Sequence, residues 1–161
     1  MTPDIVLRRA RPGDVEGVAR LFEGYRAFYK CPPAPEDARR FIGDRVAAGD
    51  SAILVAVEVS GPAEECVGFV QLYPAFSSLR MAPVWILNDL YVDAGHRGKG
   101  IAKRLMLAAK AHADATGACG LSLETAPDNS AARLLYESLG YSIDDSMLHY
   151  VLDWKRPAVE E

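Results

Sequence analysis

Apolar and polar positions change period several times along the 161-residue chain. Ile5 to Ala10 alternates and predicts a short strand. Beyond Arg11-Pro12-Gly13-Asp14, residues Val15, Val18, Ala19, Leu21 and Phe22 recur at helical spacing, with Asp14 as N-cap and an end near Tyr29. Closely spaced prolines in Lys30-Cys31-Pro32-Pro33-Ala34-Pro35 bar its continuation. A second helix is expected over Glu36–Ala48, stopped by Gly49-Asp50. Ala52–Val59 and Cys66–Tyr73 read as a hairpin turned at Gly61-Pro62, and 74–83 as a loop. Val84–Val92 is a nearly continuous apolar run, broken by Asn88 and Asp89, and predicts a central strand.

Helical spacing returns at about Lys99–Thr116, where Ile101, Leu105, Ala108 and His112 share a stripe. Leu121–Thr125 reads as a strand and Asn129–Leu139 as a helix closed by Gly140. Ile143 and Met147–Trp154 suggest closing strands. Three consecutive strands before the central helix exclude a doubly wound parallel sheet and imply an α/β (α+β) domain. The expectation is a mixed, mostly antiparallel sheet of about seven strands with about four helices. One domain over 1–154 and a polar tail at 155–161 are expected.

Composition narrows the class. Half of the residues are hydrophobic and a quarter charged, as in an ordinary soluble globular protein. A net charge of −4 offers no basic footprint for nucleic acid. No apolar stretch approaches the roughly 20 residues of a membrane span. Three widely spaced cysteines, Cys31, Cys66 and Cys119, fit a reducing, cytoplasmic setting better than a disulfide framework. His96, His112 and His149 form no metal-ligand pattern, so no metal is expected. His96 is read as solvent-facing, and His112 and His149 as partly buried.

The chemistry concentrates in Asn88-Asp89-Leu90-Tyr91-Val92-Asp93-Ala94-Gly95-His96-Arg97-Gly98-Lys99-Gly100-Ile101-Ala102, a strand, a glycine-rich turn and a helix start. Glycines let a backbone approach a ligand, and uncapped N–H groups at a helix N-terminus favour anions. Arg97 and Lys99 add positive charge. The pattern points to a pyrophosphate. It is neither a P-loop, since Ile101 follows Gly100 where Lys is required, nor a dinucleotide fingerprint, which lacks its third glycine here.

Arg97-Gly98-Lys99-Gly100-Ile101-Ala102 resembles the Arg/Gln-x-x-Gly-x-Gly/Ala signature of the GNAT superfamily of acyl-CoA-dependent N-acyltransferases. Asn129-Ser130-Ala131-Ala132-Arg133-Leu134-Leu135-Tyr136-Glu137-Ser138-Leu139-Gly140-Tyr141 is similar to the family's Asn-x-x-Ala-x-x-x-Tyr-x-x-x-Gly-Phe/Tyr block. The likeness spans about residues 5 to 153. The Asn-Asp-Leu-Tyr-Val run resembles the branch of yeast histone and polyamine acetyltransferases.

The resemblance implies acetyl-CoA as cofactor, a primary amine as acceptor, splayed central parallel strands and a homodimer. It places the CoA pyrophosphate on the amides of Arg97, Gly98, Lys99, Gly100, Ile101 and Ala102, and pantetheine along Leu90, Tyr91 and Val92. Asn129, with Ala132 in the same block, would contact the cofactor, and Tyr136 would act as general acid. Seven residues, about two turns, put Asn129 and Tyr136 on one helix face. Where many members carry a glutamate or histidine base, this chain has Asn88. A water held by Asn88 and Asp89 is the first candidate base and Glu124 the second. Simple alternation sends Asp89 to the opposite face from Asn88 unless the strand bulges. Tyr25, Tyr29, Phe76 and Ser77 would wall the acceptor cleft. The competing expectation is a non-catalytic acyl-CoA-binding module.

Overall fold

The computed structural model describes residues 4–154. Five strands form one sheet in chain order: β1 (Asp4–Arg9), β2 (Ala52–Ser60), β3 (Ala63–Ser77), β4 (Ala82–Val92) and β5 (Leu121–Leu123). The first four pair antiparallel, and β4 pairs with β5 in parallel. Helices α1 (Val15–Phe28) and α2 (Pro35–Ala48) cover one face. Helices α3 (Ile101–Ala115) and α4 (Ser130–Ser138) cover the other.

β3 is buried on both sides. Val67, Val70 and Leu72 join the α3 core with Leu105, Met106 and Ala109. Cys66 and Phe69 join the α1 core with Val18, Leu21 and Ile42. Gly17 and Gly24, seven residues apart on α1, face the sheet at close range. A Cβ on Gly17 would lie 3.0 Å from the Cys66 Cβ, and one on Gly24 would lie 2.6 Å from the Tyr91 Oη. In an open helix, glycine costs about 1 kcal/mol relative to alanine. Here overpacking, at about 1–3 kcal/mol, outweighs that gain. Gly24→Ala is therefore expected to lower the urea midpoint; a rise would mean that α1 moves away freely.

Several expected boundaries shift. Asp14 does not cap α1 with its side chain. Its carboxylate takes Arg8 Nη1 at 2.7 Å and the Arg11 N–H at 2.6 Å, fastening β1 to the turn before the helix. Most of the expected 74–83 loop is strand: β3 and β4 pair out to Ser77 and Ala82, leaving a tight turn between. The stripe of α3 runs through Ile101, Leu105, Met106, Ala109 and Ala113, with Ala108 and His112 only flanking it.

The seven-strand expectation is corrected to five among the described residues. No strand forms at Ile143 or Met147–Trp154, whose apolar side chains are exposed. The expected tail at 155–161 lies outside the described residues. Among the described residues no helix is long and apolar enough to cross a membrane.

Candidate active site

The site arises from one extra residue in β4. Gln71 of β3 pairs with Asp89, but Leu72 pairs with Leu87, so Asn88 bulges from the ladder. The bulge turns Leu87, Leu90 and Val92 toward α3 and α4, while Asp89 and Tyr91 face α1. Parallel pairing with β5 stops at the same place, at Leu87–Leu123. Beyond it the strands diverge, and a cleft opens between Asn88–Val92 and Glu124.

Tyr25, Phe28 and Tyr29 wall the cleft on the α1 side; Ala102, Leu135 and Tyr136 do so on the α3/α4 side. Arg97, Asn129 and Ala132 also line it. The Tyr25 and Tyr29 rings meet edge to face at 5.0 Å. The proline-rich loop beside them is pinned: Ala34 N–H donates to Glu23 at 2.9 Å and Arg26 Nη1 to the Pro32 carbonyl at 3.1 Å.

The glycine turn adopts the form that its sequence requires. Gly98 and Gly100 have φ of 74° and 76°, a region that side chains disfavour. No atom lies within 4 Å of where their Cβ atoms would be, so a ligand has room to approach both. Gly100 caps α3 without a side chain. The Arg104 N–H already bonds the Gly100 carbonyl, while those of Ile101, Ala102 and Lys103 precede the first intrahelical bond. Ile101 buries its side chain in the core, so only its backbone is on offer. Lys99 is exposed and does not line the cleft. Arg97 stands 5.3 Å over the Tyr91 ring, and its Nε donates to the Val92 carbonyl at 3.0 Å, which holds the turn against β4. This uncapped, open and positively flanked turn fits a pyrophosphate.

Tyr136 and Asn129 both line the cleft. Asn129 caps α4: its Oδ1 accepts the Ala132 N–H at 3.3 Å, leaving Nδ2 for a ligand. Burial, with Tyr29 and Tyr141 nearby, holds the Tyr136 hydroxyl above its ordinary pKa and so protonated. Asp89 does not line the cleft; it lies behind it, 3% exposed. Its carboxylate accepts Gln71 Nε2 at 2.7 Å and Asn88 Nδ2 at 3.1 Å, and Gln71 in turn accepts the Ser51 hydroxyl at 3.1 Å. Burial raises the Asp89 pKa against the opposing pull of hydrogen bonds from Gln71, Asn88 and Tyr25. The Tyr25 hydroxyl lies between Asp89 and the Asn88 carbonyl, 3.2 Å from the latter, and its one proton links the buried acid to the cleft wall.

Glu124 lines the cleft from its solvent edge, its side chain 84% exposed. Phe76 and Ser77 are corrected: they sit in the distal part of the β3–β4 hairpin, and neither lines the cleft. His96 does not face solvent freely; its ring nitrogens lie 3.3 Å from Glu58 and from Asp93, tying the glycine turn to β2. His149 is exposed, not partly buried. No cysteine lines the cleft among the described residues, and burial pushes the Cys66 thiol up to about 11. Gln71, Gly24 and Leu135 are contributors that pattern reading missed. A glutamine inside the apolar run of β3 and a glycine on the apolar face of α1 were the available signals.

A mixed sheet split beside a glycine-rich turn that fits a pyrophosphate, with Tyr136 lining the split, agrees with the class that the comparisons with known proteins give, an acetyl-CoA-dependent N-acetyltransferase. The profile of the Acetyltransferase (GNAT) family matches residues 18–141, and the chain belongs to that family. It is 42% identical over 147 residues to an uncharacterized N-acetyltransferase of Bacillus subtilis, covering 91% of this chain and 96% of that one. A D-amino-acid N-acetyltransferase of Saccharomyces cerevisiae is 28% identical over 144 residues, 87% and 86% of the two chains. A crystal structure of a probable acetyltransferase superposes with a TM-score of 0.86 at 35% identity, over 94% of this chain and 99% of the other.

Proposed function

We propose that the protein transfers an acetyl group from acetyl-CoA to a primary amine by direct attack, with Tyr136 as the general acid. Carrying this reading is the convergence of Tyr136, Asn88 and the Arg97–Ala102 turn on one split between β4 and β5. Acetyl-CoA supplies the acyl group already activated as a thioester. The amides of the turn and Asn129 Nδ2 hold the cofactor, and the β4 edge from Asn88 to Val92 aligns its arm. Polar backbone groups fixed there stabilise charge on the reacting carbonyl without reorganising. Tyr136 Oη keeps a proton for the departing sulfur.

An attacking ammonium must first lose a proton. Asn88 has no basic atom, but its side chain holds a water in the cleft, and Tyr25 passes the proton inward to Asp89. Glu124, solvated at the rim, is the second acceptor. Tyr25, Phe28 and Tyr29 form an apolar wall suited to the carbon skeleton of a small amine, a polyamine, a lysine or an N-terminal residue. The substrate named for the yeast relative adds free amino acids to these classes. We place the protein in the cytoplasm, in line with its free cysteines, and as a homodimer.

Thiol release from acetyl-CoA against polyamines, arylalkylamines, D- and L-amino acids and lysine peptides tests the reading. At least one class is expected to turn over. Tight CoA binding with no release from any acceptor would favour a non-catalytic CoA-binding module.

A further inference from the structure

Nothing in the packing of β3 asks for a polar side chain at its centre, yet Gln71 stands there. Val70, Gln71 and Leu72 are all wholly buried. An apolar residue of similar length would fill the place at little cost, whereas a buried amide needs a partner at each end. Gln71 has both. Its Nε2 donates to Asp89 Oδ2 at 2.7 Å, and its Oε1 accepts the Ser51 hydroxyl at 3.1 Å. The ladder sets Gln71 opposite Asp89 on β4 and Ile53 on β2, and Ser51 stands two residues before Ile53. Alternation therefore turns all three polar side chains to the α1 face.

We infer that Gln71, held by Ser51, is a positioning residue for acetyl transfer, keeping the carboxylate of Asp89 anionic and ready to take a proton through Tyr25. The inference rests on the proposal above that Asp89 is the final proton acceptor. Asp89 has no cationic partner among the described residues. Around it stand Tyr25 of α1, Tyr73 of β3 and the amides of Gln71 and Asn88. Arg45 of α2 acts on Tyr73 rather than on Asp89, and is paired with Asp50 at 2.8 Å. Burial and then the charge of Asp89 push the Tyr73 hydroxyl up to about 12, so it stays protonated. With neutral neighbours alone, hydrogen bonds must offset the penalty of an anion out of water. Gln71 makes the shorter of the two amide contacts, 2.7 Å against 3.1 Å from Asn88, in the range of charge-assisted bonds. An ionised carboxylate only accepts, so a reversed amide would set oxygen against oxygen. Ser51, donating to Oε1, polarises the amide and strengthens its donation to Asp89. Asn88 lines the cleft, whereas Gln71 is sealed behind it, so its hold on Asp89 persists as ligands come and go.

The NMR resonance of the Asp89 carboxyl carbon, assigned by its loss in Asp89→Asn, reads the ionisation midpoint directly and needs no acceptor. In Gln71→Met, of similar length, that midpoint is expected to rise by about one to two pH units, the worth of a hydrogen bond to a charge. In Ser51→Ala it is expected to rise by less. An unmoved midpoint in Gln71→Met overturns the inference; should that variant not fold, an unmoved midpoint in Ser51→Ala does so. With an acceptor that turns over, the acid limb of kcat/KM is expected to move to higher pH with the midpoint, and the plateau above it to be regained. A uniform loss of kcat/KM at every pH, with the limb in place, would make Gln71 merely structural. A midpoint that moves under a limb that stays would instead remove Asp89 as the base, and the part of Gln71 in the transfer with it.

Discussion

Tyr136→Phe is expected to lower kcat by about 10²–10⁴-fold, the usual worth of a positioned general acid, with CoA affinity nearly unchanged. The substitution removes one hydroxyl and keeps the ring that packs 6.1 Å from Tyr141, so fold and cleft shape persist. A thiolate leaving without a proton must develop full charge beside the apolar surfaces of Leu87, Leu90 and Leu135, where unsolvated charge is costly. Because burial raises the Tyr136 pKa, the donor stays loaded throughout the neutral range, and no alkaline loss of activity near pH 8 should come from it. Pre-steady-state release of CoA and direct titration of CoA separate the two parameters. A parallel loss of turnover and affinity would make Tyr136 a binding or structural group.

The second large effect is expected at Asp89. Asp89→Asn removes the proposed proton acceptor while retaining volume, and turnover should drop by about 10²-fold or more. The pH profile gives the sharper reading. A base must be ionised to act, so kcat/KM in the parent rises as pH passes the Asp89 pKa, which burial lifts above the ordinary carboxylate value. That acid limb should vanish in the variant. A limb that survives belongs to Glu124 or to the amine itself and refutes the role. Stability must move in the opposite sense. A carboxyl whose folded pKa is raised favours the folded state most below its unfolded pKa, about 4, and this advantage is lost as pH rises through the folded value. The melting temperature of the parent minus that of Asp89→Asn should therefore shrink from pH 4 toward neutrality.

Local signals carried much of the fold and the shape of the glycine turn. The turn around Gly98 and Gly100 was legible because its positive φ values demand glycine. The spacing of Asn129 and Tyr136 was legible because one helix fixes it. What periodicity could not settle was the side on which Asp89 falls. Alternation is a rule of period two, and a single bulge at Asn88 reverses it for the rest of the strand. Phe76 and Ser77 were misplaced because turn residues near 77–81 hid a hairpin whose strands continue almost to its tip. The apolar run at 147–154 has strand chemistry, yet β-structure needs a partner, and a sequence names no partner. The close fit of Gly24 to Tyr91 depends on two residues 67 positions apart meeting across the core, which no local window contains.

The divergence of β4 from β5 past Leu87 has a kinetic consequence. A gap between strands passes through the whole thickness of a sheet, so it opens toward α3 and α4 on one side and toward α1 on the other. The Arg97–Ala102 turn, to which the proposed function assigns the cofactor, lies at the first opening and the aromatic wall at the second. On the proposed function, two substrates would arrive by separate doors, meet at Asn88, and depart by the doors through which they came. Neither product needs to wait for the other to clear its path, and spent CoA should compete with fresh cofactor but not with the amine.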